Sequence, residues 1–261
     1  MNNKRYVKAL REGKPIECAG LTFYPIKMSD WDAFLETRPA VTQMMQSLPA
    51  AYISLPYLSA LWAIDADAIE NDLPPTGLFG ALMGFVTLAL RTADEETPFH
   101  IFIEKDSHRL AYVRFFQNGR TADITPQIFS SEIRPLLCNQ NGLTLPDEAA
   151  NLELLEAERD IAEMNDDGID YDSETLVSSV AYMSHVTEEE IYEKWTVRSF
   201  MRRKEAIDRE ICYRLYRTAA LAGTIKINGE NPFPSWCFDK REKGNTSALV
   251  SPNGIVSGFG S

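Results

Sequence analysis

Twelve residues, EMNDDGIDYDSE from Glu163 to Glu174, come nearest to a chemical motif in this chain. A calcium loop places oxygen ligands at alternate positions, a glycine at the sixth for a sharp turn, and a bidentate Glu at the twelfth. Asn165, Asp167, Gly168 and Glu174 fall in that register. Two positions depart from it. Glu163 stands where the shorter Asp leaves room for the ion, and Asp170 stands where an apolar residue belongs. The competing reading is an acidic, solvated connector that contains a glycine.

The other concentration of chemistry has the opposite sign. From Lys194 to Arg217 the chain carries eight Lys/Arg against three Asp/Glu, although its net charge is −12. Arg198, Arg202, Arg203, Arg209 and Arg214 recur on a segment where Phe200, Ile207, Ile211, Leu215 and Ala219 follow a helical repeat. That spacing predicts a helix with an apolar, core-directed face and a basic solvated one. Residues 147 to 174 hold twelve Asp/Glu against Arg159 alone, so the basic face has an acidic counterpart in the same half of the chain. Protein–protein contact is the favoured use of the basic face, because a pI near 4.8 opposes phosphate polymers and anionic membranes. Downstream, Phe233, Trp236 and Phe238 cluster around two prolines in NPFPSWCFDK, either capping a core or marking a partner site.

Nothing in the residues singles out an enzyme. The chain has no GxSxG elbow, no phosphate loop, and no strand–turn–helix setting for Gly77, Gly80 and Gly84. His100, His108 and His185 lie far apart, and each reads as structural. Cys18, Cys138, Cys212 and Cys237 show no ligand spacing and read as free, buried thiols of a reducing cytosol. No cofactor is called for. The N-terminus lacks a secretory pattern, and GLFGALMGFVTLAL spans only 14 residues, which suits a core helix rather than a membrane span.

The elements that must position these residues follow from period and punctuation. Residues 15 to 26 read as a hairpin turning at Ala19-Gly20, and Ser29 stands where a helix N-cap belongs. Helical segments follow through AVTQMMQSL, YLSALWAI and the Gly77–Ala93 run. FHIFIE, LAYVRFF and RTADIT form an antiparallel unit, with Asn118-Gly119 as its tight turn. Pro126 opens a helical stretch that ends at Asn141-Gly142 and that Pro135 divides. NLELLEAERDIAEM, Glu174–Val186, a helix capped by Thr187 and Glu190, and a long helix stopping at Gly223 complete the pattern. The fold class is α+β, mostly helical. An α+β part over 1–145 precedes a helical part over 146–243, with an acidic connector at 163–174 and a flexible tail at 244–261.

Several stretches resemble tail assembly chaperones and related tail-module proteins encoded by phages and phage-like elements of Gram-positive bacteria. They are GLTFYPIKMSDWDAFL, ISLPYLSALW, SSEIRPLLCNQNGLTLPDE and, above all, WTVRSFMRRKEAIDREICYRLYRTAALAGTIKI leading to PSWCFD. Where that family has a small-residue turn and a terminal Trp motif, this chain has TAALAG and Ser235-Trp236. The likeness spans roughly residues 20 to 240. It implies a non-enzymatic protein of the host cytoplasm that binds the tape-measure protein or other tail proteins. The alternative is a structural component of the tail or baseplate, carried in the virion. A calcium-binding or other regulatory protein is a third reading, resting on Glu163–Glu174 alone. The resemblance brings no catalytic or metal-binding residues with it.

Overall fold

A computed structural model of the chain describes residues 3–105, 109–148 and 172–223. Helix α1 (Asn3–Glu12) leads into a hairpin of β1 (Ile16–Cys18) and β2 (Leu21–Phe23). Its two-residue turn puts Ala19 at φ 49° and Gly20 at φ 82°, the left-handed pair that matches strand twist. A second antiparallel sheet has the order β3 (Phe99–Ile103), β4 (Leu110–Gln117), β5 (Arg120–Ile124). Asn118 and Gly119 supply the same left-handed turn between β4 and β5. Alternation along β4 sends Val113, Phe115 and Gln117 into the core, while Tyr112, Arg114 and Phe116 take the other face.

The α+β, mainly helical class is therefore as expected. Helix α2 (Trp31–Thr42) packs on α4 (Leu78–Leu90), and α3 (Tyr57–Glu70) lies against both α4 and the start of β4. Gly84 lets α2 approach closely: a Cβ there would stand 3.2 Å from Thr37 Cγ2. Trp31, Phe34 and Phe85 form an aromatic chain with centroid distances of 5.7 and 5.8 Å. Asp65, buried on α3, accepts from Thr76 Oγ1 and from the amides of Gly77 and Phe79, so it caps α4 from a neighbouring helix. Ser29 does not cap α2. Met28–Asp30 is a 3-10 turn, because Met28 is buried with its amide bonded to Trp195 O, and Asp30 takes the N-cap position.

Pro135 was expected to divide the stretch that Thr125 caps. Instead, α5 (Pro126–Ile128), a π-helical turn (Phe129–Ile133) and α6 (Arg134–Asn141) follow one another without a gap. A wider turn absorbs the missing proline amide, as such turns commonly do. The residue next to that proline is Arg134, only 5% exposed. Its Nε donates to Val41 O at 2.9 Å, Nη2 to Gln43 O at 2.5 Å and Nη1 to Glu148 Oε1 at 3.1 Å. The guanidinium carbon lies 3.6 Å from the Tyr57 ring centroid.

Helices α7 (Ser173–Ser184), α8 (Glu188–Lys194) and α9 (Val197–Leu221) form the C-terminal part. Asp172 caps α7, Thr187 caps α8, and Gly223 ends the run at φ 71°. Lys27 bridges to Thr196, and Val197 N donates to Ile26 O. Phe200 then packs edge-on to Trp31 at 5.5 Å. The chain divides into the compact units Met1–Arg202 and Arg203–Ser261, a division that falls inside α9. NLELLEAERDIAEM lies outside the described residues, as does the tail 244–261.

Arg134→Met should lower unfolding free energy by about 3 kcal/mol, because two backbone carbonyls and Glu148 lose a buried partner. Arg134→Lys should recover less than half of that, since a point charge cannot copy a planar fork. Urea denaturation of both variants checks this, and a wild-type midpoint for Arg134→Met would refute it.

Candidate functional site

The period of α3 gives the helix two faces. Tyr57, Leu58, Leu61, Ile64 and Asp65 turn to the core. Ser59, Trp62, Ala63 and Ala66 line a groove of about 820 Å³, closed on its other sides by the segment 51–56, the start of β4, Pro126 and Gln127. Leu55, Trp62, Ala63, Ala66 and Ala111 give the groove apolar patches, which alternate with the polar groups of Tyr52, Ser54, Ser59 and Gln127. Its rim is charged: Asp67, Glu70 and Glu104 against Arg109. Tyr52 Oη donates to Asp67 Oδ2 at 2.6 Å, fixing that carboxylate at the rim. The same bond raises the Tyr52 pKa, since losing the phenolic proton would set two anions side by side. Trp62 is held edge-on to Phe79 at 5.2 Å. A groove of mixed polar and apolar lining with a charged lip suits an amphipathic helix.

None of these groove residues was singled out from the sequence. The signal lay in YLSALWAIDA, where Ser59, Ala63 and Ala66 recur on the side opposite Leu58 and Leu61.

The basic residues expected to meet a partner are split by the structure. Arg198 and Arg202 belong to the first unit and line one cleft with Arg11 and Lys194. Arg198 is half-buried, and its Nη1 donates to Asn139 O at 2.6 Å. Arg203, Arg209 and Arg214 follow on the part of α9 in the second unit. There Arg214 pairs with Glu210 at 2.6 Å, and Lys204 with Asp208 at 2.7 Å. Such exposed i,i+4 pairs contribute only a few tenths of a kcal/mol. Phe233, Trp236 and Phe238 lie outside the described residues.

The core-directed stripe expected on α9 needs correction beyond Phe200. Phe200 is fully buried, but Ile211 is 40%, Leu215 66% and Leu221 81% exposed. Periodicity gives a helix an apolar face, whereas burial needs a second layer. From Arg203 onward the described residues are α9 and its terminal turn, and they supply none.

The residues considered for chemistry stay apart. His100 is exposed on β3 and meets Phe116 edge-on at 5.1 Å. His185 ends α7 at φ 56°, and His108 is outside the described residues. Among the described residues no three His, Cys, Asp or Glu are grouped to hold a metal ion. Most of Glu163–Glu174 lies outside that set, while Asp172 accepts from Thr175 N as the cap of α7. No described helix is long and apolar enough to cross a membrane. Comparison with protein-family models, with curated proteins and with solved structures found no match.

Burial pushes the Cys18 and Cys138 thiols from the ordinary 9.0 up to about 11, and Glu132 adds to the effect at Cys18. Cys212 is exposed. Iodoacetamide at about pH 8 should therefore modify Cys212 well before Cys138, because the thiolate is the reactive form and needs access. Peptide mass mapping reads the order, and equal rates would contradict the burial. Both raised values favour the folded state while the thiols are protonated. Their contribution should be intact below pH 9.0 and fall as pH climbs through about 11.

Proposed function

We propose that this is a non-enzymatic tail assembly protein acting as a chaperone in the cytoplasm of a bacterial host. It would hold apolar helical segments of a tape-measure protein until tube subunits assemble around them. The observation that carries the reading is the groove along α3, where apolar patches at Leu55, Trp62, Ala63 and Ala66 lie among polar groups beneath a charged lip. A holdase needs such a groove: apolar patches to shield the client, and a charged rim to keep the complex soluble. The resemblance of several segments to tail assembly chaperones supports the same reading.

A second reading, a structural component of the tail or baseplate, draws on the exposed Ile211 and Leu215 of α9, one turn apart on the same face. An apolar row of this kind suits a permanent subunit contact.

Co-expression of the full chain with the neighbouring tail genes, followed by affinity capture and mass spectrometry of finished particles, separates the two. Capture of the tape-measure protein with absence from particles is the outcome expected for a chaperone. A fixed copy number in particles would instead establish the structural reading. Ala63→Trp and Ala66→Trp should fill the groove and reduce capture about tenfold, equivalent to roughly 1.4 kcal/mol. Capture unchanged by both would remove the groove from the binding surface.

A further inference from the structure

A second concavity in the first unit has the opposite electrostatics. Arg11 of α1, Lys194 at the end of α8, and Arg198 and Arg202 of α9 line a cleft of about 310 Å³. Its one carboxylate is Glu12, already engaged by Lys14 at 2.6 Å and Lys8 at 3.7 Å. Lys194 is paired with Glu190 at 3.3 Å. Arg11 and Arg202 are exposed, with no hydrogen bond or ion pair among the described residues.

This arrangement is unfavourable for the chain alone. Arg198 and Arg202 stand four apart on one helix face, a like-charge spacing that destabilises a helix. They also sit in the first turns of α9, the end at which the helix dipole disfavours cations. Burial first, and the Arg202 charge second, act against the protonated form of Arg198 and lower its pKa. An anion in the cleft would relieve all three. Gln140 also lines the cleft and is 2% exposed, and its Nε2 is spent on Phe23 O at 3.0 Å, but its Oε1 is buried without a donor. That oxygen is covered, so the cationic set alone defines the ligand, which brings negative charge.

We propose that the cleft formed by Arg11, Lys194, Arg198 and Arg202 binds an acidic peptide segment of a partner protein. Asp or Glu side chains meet the guanidinium groups. A nucleic acid is the poorer match. The net charge of −12 repels a long polyanion outside this short cationic stretch. The inference stands on the cleft alone and does not depend on the chaperone reading.

The test uses the full chain and a fluorescein-labelled peptide of alternating Glu and Ala, about twelve residues long, followed by fluorescence anisotropy. Saturable binding in about 50 mM salt that fades at about 500 mM is expected of a charge-driven contact. Arg11→Ser and Arg202→Ser should each weaken binding about tenfold, as loss of one charge contact in a shared site does. Neither melting temperature should fall below the wild type, because neither side chain has a partner among the described residues to lose and removing Arg202 relieves its repulsion with Arg198. A peptide with Gln in place of Glu should not bind. The proposal is overturned by an absence of binding, by affinity that ignores both substitutions, or by tighter binding of an oligothymidine of equal charge.

Discussion

A guanidinium sealed inside the first unit sets the relation of three chain segments. Arg134 reaches the C-terminal carbonyls of α2, lies against Tyr57 at the start of α3, and pairs with Glu148 beyond α6. Glu148 in turn accepts from Met45 N at 2.9 Å, so its carboxylate joins the same knot. A charge removed from water is costly unless its hydrogen bonds are made, and here each nitrogen of the fork has an oxygen. That requirement explains the π-helical turn just upstream. An extra residue in a turn shifts the face of the following helix by about 100°, enough to change which side chains point inward. Pro135, which lacks an amide to lose, is well suited to that position. The groove depends on this knot, since α3 is anchored at Tyr57 while Trp62, Ala63 and Ala66 form its wall.

A second constraint concerns the short hairpin. Two strands of three residues each are marginal alone, so β1 and β2 borrow partners from elsewhere. Gln117 accepts from Thr22 N and donates to Thr22 O and Leu90 O. Gln140 donates to Phe23 O, and Asn141 accepts from Ile26 N. Buried side-chain amides thus replace the neighbouring strands that a larger sheet would provide, and they satisfy backbone groups that water cannot reach. The same segment receives α9, whose first amide donates to Ile26 O. The start of the basic helix is therefore anchored, with Arg198 and Arg202 in its first turns.

Local chemistry was legible in the residues wherever one short stretch decided the outcome. Ala19-Gly20 and Asn118-Gly119 marked both tight turns, Thr187 marked a cap, and Gly223 marked the end of α9. Features requiring two distant segments were not. Ser29 has the right side chain for a cap, but the bond from Met28 to Trp195, far along the chain, decides the geometry there. The apolar repeat of α9 was read correctly as periodicity, yet period carries no information about whether a second layer exists. The basic cleft needed Arg11 from α1 beside Arg198, and no pattern within α9 could supply it. Phe233, Trp236 and Phe238 fall outside the described residues, so their part in the sequence reading stays as it was.

The two concavities differ in a way that constrains any partner. Three carboxylates and one guanidinium rim the groove along α3, whereas four cations and one engaged carboxylate line the cleft. At physiological salt, charge is screened beyond about 8 Å, so each concavity presents its own local sign rather than the average of −12. A segment of uniform charge that suits one is repelled by the other. Simultaneous occupation therefore demands either two partners or one partner whose segments differ in charge, apolar or basic toward α3 and acidic toward the start of α9. Like-charge repulsion then works as selection, since it rejects the wrong segment at each surface without any added contact.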